Sequence, residues 1–287
     1  MKTENFNFTR TFGVELEFIS PCDSTRLVRR LNERLENTLI SFREATWSDT
    51  SNAWRVKPDS SISGGHGWGC EIVSPVLQGQ EGFQQLQDVL KALSTLDVEV
   101  NRSCGLHVHW GVSDWGVSNF KNLIKRYVKF ESTIDSFMPN SRRLSNNSYC
   151  QSEALNIANR HGVSTLQEIF KLIDKCKDLN RLQRMKNGYD RYSKVNLESM
   201  SRHGTVEFRH HSGSTDTDKV LAWVLLTGAM VEASSVKRIV KVKNDDTVTS
   251  NSATLNMMLR GLRTVAPQVE EIGTFYRRRV RHFARQS

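Results

Sequence analysis

The clearest hydrophobic pattern in the chain is Thr11-Phe12-Gly13-Val14-Glu15-Leu16-Glu17-Phe18, where Phe12, Val14, Leu16 and Phe18 alternate with Gly13, Glu15 and Glu17. A period of two predicts a β-strand with an apolar face for a core and a second, polar face. Glu15 and Glu17 share that polar face, about 7 Å apart. The pattern returns along the chain. Cys70-Glu71-Ile72-Val73-Ser74, ended by Pro75, predicts a second strand. Leu106, Val108 and Trp110 alternate with His107 and His109 in a third, starting at Cys104-Gly105. Val206 and Phe208 alternate with Glu207 and Arg209 over Thr205 to His210. The segment from Tyr192 to Met200 predicts a partner strand for this last one, joined by a tight turn at Ser201-Arg202-His203-Gly204. Trp54 to Lys57 reads as a short strand, followed by Asp59 and the glycine-rich loop Gly64 to Gly69.

Helical spacing separates the strands. Leu27, Leu31, Leu35 and Leu39 predict an amphipathic helix reaching to about Phe42, and Phe83, Leu86, Leu90 and Leu93 a second. A third runs from Ser118 to about Met138. Ser164 with Gln167 forms a capping box for a helix through Leu166, Ile169 and Ile173. Thr215-Asp216 caps a helix that is apolar nearly all round from Val220 to Val231, and two more follow over Thr254 to Val265 and Gln268 to Arg285. Pro139 to Tyr149 and Asn244 to Ser252 lack periodicity and read as a loop and a linker. Antiparallel strand pairs, with helices that cover one face, predict an α+β fold. Its mostly antiparallel sheet keeps its polar face open as a concave floor.

Composition narrows the setting. With 287 residues and 38% hydrophobic positions the chain can bury a large core. The net charge of +9, with a pI near 9.4, makes polyanions plausible partners, although much of the excess sits at the C-terminus. The five cysteines are widely spaced with no C-x-x-C pair, which fits a reducing cytoplasmic setting better than a disulfide framework. Met1 to Arg10 has no apolar signal-peptide run, and the stretch Val220 to Val231 is too short to span a bilayer. No phosphate-binding glycine motif can be placed.

The floor gathers Glu15, Glu17, Glu71, His107, His109, Glu207 and Arg209, with Lys57 and Asp59 just before the glycine loop. Singly, each has a plain structural explanation: surface glutamates, a hydrogen-bonded His-x-His pair, a cross-strand Glu-x-Arg pattern, a capping aspartate. As a set on one face they imply cations, because crowded carboxylates are unfavourable without charge or protons to offset them. Oxygen ligands with one or two imidazoles suit Mg²⁺ or Mn²⁺. Arg209 adds a fixed fork for a phosphate or carboxylate.

Taken together, Gly13-Val14-Glu15-Leu16-Glu17-Phe18, Asp59-Ser60-Ser61-Ile62, Glu71-Ile72-Val73-Ser74-Pro75, Cys104-Gly105-Leu106-His107-Val108-His109 and Thr205-Val206-Glu207-Phe208-Arg209 resemble the putative amidoligases. These belong to the glutamine synthetase and glutamate–cysteine ligase superfamily of carboxylate–amine ligases. Tyr149-Cys150 and Lys194-Val195-Asn196 also look like family positions. The resemblance runs from about Thr11 to Ser235. It implies a glutamine synthetase-like catalytic domain over residues 1–243, with a helical insert at about 114–188. A linker and basic C-terminal helices over 244–287 would then pack on the same domain.

The resemblance also implies ATP and two or three Mg²⁺ (or Mn²⁺) ions. Glu17, Asp59 and Glu71 resemble the ligands of one ion, and Glu15, His107 and Glu207 those of a second. Arg209 looks like the γ-phosphate contact, with His109 and Lys57 at the phosphates. Glu15, Glu207 and Arg209 are the implied catalytic residues. The implied reaction activates a small-molecule or peptide carboxylate as an acyl phosphate, which an amine then attacks to form an amide. Arg142 and Arg143 are placed by position and charge to bind an acidic substrate.

Two other readings stand beside this one. A metal-dependent hydrolase could use the His-x-His and carboxylate cluster, and would turn over without ATP. A nucleic-acid binder could use Arg277-Arg278-Arg279, Arg281, His282 and Arg285 with Lys237, Arg238, Lys241 and Lys243. Between them lies a ligase whose substrate is attached to a polyanion such as modified DNA.

Overall fold

The computed structural model describes residues 8–46, 48–49, 51–236 and 242–285. Met1–Asn7, and Lys237, Arg238 and Lys241 of the basic segment, lie outside the described residues. The chain divides into two units, residues 1–110 with 211–224 and residues 111–210 with 225–287.

The first unit contains β1 (Thr11–Ser20), α1 (Ser24–Arg34), β2 (Phe42–Glu44), β3 (Trp54–Pro58), β4 (Trp68–Val73), β5 (Leu77–Gln78), α2 (Gly79–Ser94) and β6 (Gly105–Gly111). Its strands lie in the order β2-β3-β4-β1-β6, and β5 pairs with the start of β1. Every pair is antiparallel except β2 with β3. Register sorts the side chains as the alternation predicts. Leu16 stands opposite Ile72 and Leu106, and Val56 opposite Ile72, so one face is continuous hydrocarbon. Helix α1 packs on β2 and β3, and α2 on β5 and α1. Their Leu27, Leu31, Leu86 and Leu90 are fully buried, each contributing about 1.5–3 kcal/mol by leaving water.

Helix α1 stops earlier than its leucine spacing suggests. The side chain of Asn32 accepts from the Phe42 amide at 2.7 Å and donates to the Phe42 carbonyl at 2.9 Å. That amide takes both backbone groups of the returning chain and seats Phe42 as the start of β2. Leu39, in helical phase with Leu35, is left exposed.

The second unit contains α3 (Val117–Asp135), α4 (Glu153–His161), α5 (Leu166–Lys175), α6 (Leu179–Asn187), β7 (Val195–Asn196), α7 (Ser199–His203), β8 (Thr205–Ser212), α8 (Thr217–Val236), α9 (Leu255–Arg263) and α10 (Val269–Ala284). His211–Val224, the end of β8 and the start of α8, count with the first unit. The expected strand from Tyr192 to Met200 is only two residues of β7, and the expected tight turn is the short helix α7. Gly204 ends that helix at φ 65°, a left-handed position that suits glycine. The capping box of α5 sits one residue later than expected: the Thr165 hydroxyl accepts from the Glu168 amide, and the Glu168 carboxylate accepts from the Thr165 amide. Helices α4 and α6 have no counterpart among the sequence expectations. At 20 residues α8 is longer than its apolar run and passes a length-and-composition test for a membrane span, but 78% of that window is buried in the protein.

The second unit holds buried charge in pairs. Lys194, fully buried, lies 2.8 Å from Glu131 and 2.7 Å from Asp135, and His210 lies 2.8 Å from Asp135. Lys186 donates to Glu153 at 2.7 Å, while the Val195 amide donates to the other oxygen of Glu153. These contacts tie α3, α4 and α6 to the strand residues around β7. With eight strands and ten α-helices among the described residues, the fold is α+β and its strands are mostly antiparallel.

Candidate active site

On the polar face of the first unit, the strand register decides which charged side chains meet. Glu17 stands opposite Glu71, Lys57 opposite Glu71, and Glu15 opposite His107. Directly opposed like charges on neighbouring strands repel, so the Glu17–Glu71 pairing costs stability unless something offsets it. Asp59 joins them from the residue after β3. Its amide donates to the Gly69 carbonyl at 2.8 Å, and its carboxylate accepts from the Ser61 amide and hydroxyl at 2.8 and 2.7 Å. A side chain at Gly69 would run into the Asp59 carbonyl, so this approach requires glycine. Oxygens of Glu17, Asp59 and Glu71 lie within 4.8 Å of one another. Their residues are 9%, 6% and 6% exposed, which removes most of the solvent that would screen them.

The electrostatic result falls on Glu71. Burial raises its pKa first, and the negative charges of Glu15, Glu17 and Asp59 raise it further, against a smaller opposing effect of Lys57; the carboxyl lies well above the usual range. Glu15 goes the other way. Burial alone would raise it, but hydrogen bonds to His107 and His109, with their charge, hold it well below the usual range.

His107 links the two carboxylates of β1. Its Nδ1 lies 3.0 Å from Glu15 Oε2, and its Nε2 lies 3.6 Å from Glu17 Oε1. His109 Nε2 approaches the other oxygen of Glu15 at 3.4 Å. Glu17 also accepts from the Gly105 amide at 2.6 Å. A Cβ at Gly105 would come within 2.7 Å of His107 Nε2 and 3.3 Å of the Glu17 carboxylate. The bare backbone at Gly105 is therefore what lets imidazole and carboxylate share that corner. With Nδ1 directed at Glu15, Nε2 is the ring nitrogen that faces Glu17.

In the second unit, β8 carries Glu207 and Arg209. Arg209 Nη1 donates to Glu207 Oε1 at 2.5 Å, and its Nε donates to the Tyr149 carbonyl at 3.4 Å. Asn196, opposite Glu207 in the β7–β8 register, donates to Glu207 Oε2 at 2.7 Å. The carboxylate is thus gripped at both oxygens, and the guanidinium is fixed on its buried neighbour.

Residues 8–231 match the family described as "Putative amidoligase enzyme". The chain belongs to that family. No curated protein matches the chain. Membership supports an enzyme of the ligase class that forms amide bonds. Every candidate residue on both units falls inside the matched amidoligase segment, whereas α9 and α10 lie beyond it.

Within the first unit of this amidoligase the structure brings together Glu15, Glu17, His107 and His109 in one group, centred on the 3.0 Å contact of His107 with Glu15, and Glu17, Asp59 and Glu71 in one cluster, with Lys57 beside Glu71. Within the second it joins Glu207 and Arg209. Asn196 was legible only as a family position. Its role comes from the strand register, which a two-residue β7 does not announce. Arg142 does not present a surface guanidinium for an acidic substrate: it is 3% exposed, and its carbonyl accepts from or faces His210 Nε2 at 2.8 Å. Arg143 donates from Nε to the Met138 carbonyl and lies over the ring of Phe283.

Proposed function

We propose that the chain is an ATP-dependent carboxylate–amine ligase that works through an acyl phosphate and uses Mg²⁺ or Mn²⁺. The observation that carries this reading is the cluster of Glu17, Asp59 and Glu71, three largely buried carboxylates within 4.8 Å. Its donor set fits a hard divalent cation: oxygen ligands only, with an imidazole at the edge. The raised Glu71 has the same meaning, because a carboxyl pushed up by its neighbours is one whose charge a cation would restore. Glu17, Asp59 and Glu71 would hold one ion, and Glu15 and His107 belong to the second ligand set that the family resemblance implies together with Glu207. Such ions, when bound, would supply positive charge that offsets the negative charge developing during phosphoryl transfer.

The chain's own residues then have defined tasks. Glu15 holds His107 through Nδ1 and so fixes which ring nitrogen faces Glu17. Lys57 and His109 offer cationic or hydrogen-bonding contacts toward phosphate. Arg209 presents its planar fork to the γ-phosphate, and Glu207, braced by Asn196, keeps that fork from swinging. In the substrates, a carboxylate oxygen bonds to the γ-phosphorus as the bond to the β-phosphate oxygen breaks, releasing ADP. The amine nitrogen then bonds to the acyl carbon and phosphate leaves. Positioning and electrostatics carry the first step, since phosphoryl transfer requires little covalent chemistry of the protein.

The test is ADP release from purified protein with Mg²⁺, a carboxylate and an amine. Glu15→Ala and Glu207→Ala should each abolish it while circular dichroism stays that of the wild type. Wild-type ADP release from either folded variant would remove that residue from the reaction, and turnover without ATP would assign a hydrolase instead.

A further inference from the structure

The helices α9 and α10, which lie beyond the matched family segment, form with the C-terminal end of α3 an open cavity of about 620 Å³ within the second unit. That volume lies inside the range of small-ligand sites. Its wall is unusually one-sided in chemistry. Arg277 and Arg281 both line it, four residues apart and so on the same face of α10, and no aspartate or glutamate is among its described lining residues. Like charges at that spacing destabilise a helix, and here neither guanidinium has a carboxylate partner inside the cavity. Arg277 donates to the Asn256 side chain at 3.2 Å, and Arg281 uses its Nε on the Arg277 carbonyl at 3.3 Å. Both keep further N–H groups for another acceptor.

The opposite wall adds donors. Ser132 accepts from Asn251 at 3.1 Å, and Thr254 accepts from the Met257 amide at 3.2 Å while capping α9. In both cases the hydroxyl oxygen is engaged as an acceptor and its proton is left to donate. Asn256, whose oxygen takes Arg277, likewise leaves its NH₂ group as a donor. Two guanidiniums, two hydroxyls and an amide thus face one cavity with no anion of the protein to receive them. Carboxylate and phosphate both accept from such a set, but the paired arginine forks favour the larger charge and three-oxygen geometry of phosphate. No aromatic ring is among the described lining residues, so nothing there provides a stacking surface for a base.

The geometry points to a second ligand site here, one that binds a small phosphate-bearing anion through Arg277 and Arg281. It is independent of the ligase reading, because none of its residues belongs to the carboxylate face or to the Glu207–Arg209 pair. Arg277, Arg278 and Arg281 are all exposed on this helix, but Arg278 does not line the cavity, so it serves as the control for general basic charge.

The test is isothermal titration calorimetry of the full chain with inorganic pyrophosphate in EDTA, which removes metal-dependent nucleotide binding from the signal. Saturable binding to a single site is expected. Arg277→Gln and Arg281→Gln should each weaken it about tenfold or more, the loss of one charge-assisted contact, with melting temperatures unchanged. Arg278→Gln should bind as the wild type does. Absence of saturable heat, undiminished binding in both cavity variants, or an equal loss in Arg278→Gln would each overturn the site. A variant that melts earlier would be replaced by the Lys substitution at the same position, which keeps charge and removes only the fork; it should still bind more weakly.

Discussion

Replacing Glu71 by glutamine should make the protein more stable and at the same time less responsive to metal. Glu71 is buried opposite Glu17 in the β1–β4 register, with Asp59 in the same cluster. At the 4.8 Å limit of that cluster, two unit charges repel by about 3.5 kcal/mol with an effective dielectric of about 20. Proton uptake at Glu71 already relieves part of this. The net gain from Glu71→Gln at pH 7 is therefore about 1–3 kcal/mol, or about 2–4 °C in melting temperature per kcal/mol. The sign in pH follows from the raised carboxyl. A folded-state pKa above the unfolded one gives stability that is fully present below about pH 4.5 and lost as pH rises. The gap between variant and wild type should thus open above that pH and close below it. Melting curves in EDTA and in millimolar Mg²⁺, from pH 4 to 8, measure both effects. Mg²⁺ should raise the melting temperature of the wild type and leave the variant almost unmoved. A variant that melts lower than wild type in EDTA at pH 7, or that keeps the full Mg²⁺ shift, would refute the reasoning.

Arg209→Lys keeps the charge but loses the two-pronged contact, and ADP release should fall at least about tenfold; unchanged kinetics would free Arg209 from the phosphate. Lys194→Met strips the cation from Glu131 and Asp135 in a dry environment, and urea unfolding should show a loss of about 3–5 kcal/mol. Burial would raise Asp135, but His210 and Lys194 hold it down to about 2. Its depressed pKa contributes stability above about pH 3.9 that disappears as pH falls toward 2. The acid limb of the stability curve should accordingly flatten in Asp135→Asn, whose neutral-pH stability will also be lower.

The carboxylate face was readable because alternation of period two leaves no freedom about which side chains share a side. Once Glu15, Glu17, Glu71, His107 and His109 were on strands, register alone brought them together. Register itself was not readable. That Glu17 meets Glu71, and that Glu15 rather than Glu17 takes His107 Nδ1, depends on how far each strand slides. The failures have local causes. Helix α1 was overextended because Leu39 continues the helical phase, while the Asn32 side chain that captures Phe42 carries no periodic signal. The strand expected over Tyr192 to Met200 narrows to Val195–Asn196, because the chain turns into α7, which Gly204 closes at a left-handed φ. Position and charge suggest an acidic substrate for Arg142, but the residue is buried. Its burial against His210, and the buried set that Lys194 and His210 form with Asp135 of α3, are long-range contacts that carry no periodic signal.

The account rests on one claim, that the acidic face serves an ATP-consuming amide synthesis. The measurement that addresses it most directly is ADP release in Mg²⁺ across panels of carboxylates and amines, with mass spectrometry of each reaction. The account predicts ADP formed only when Mg²⁺ and a carboxylate are both present, and a product whose mass is that of acid plus amine less one water. Amide cleavage or other hydrolysis that proceeds without ATP, and is unaffected by it, would contradict it.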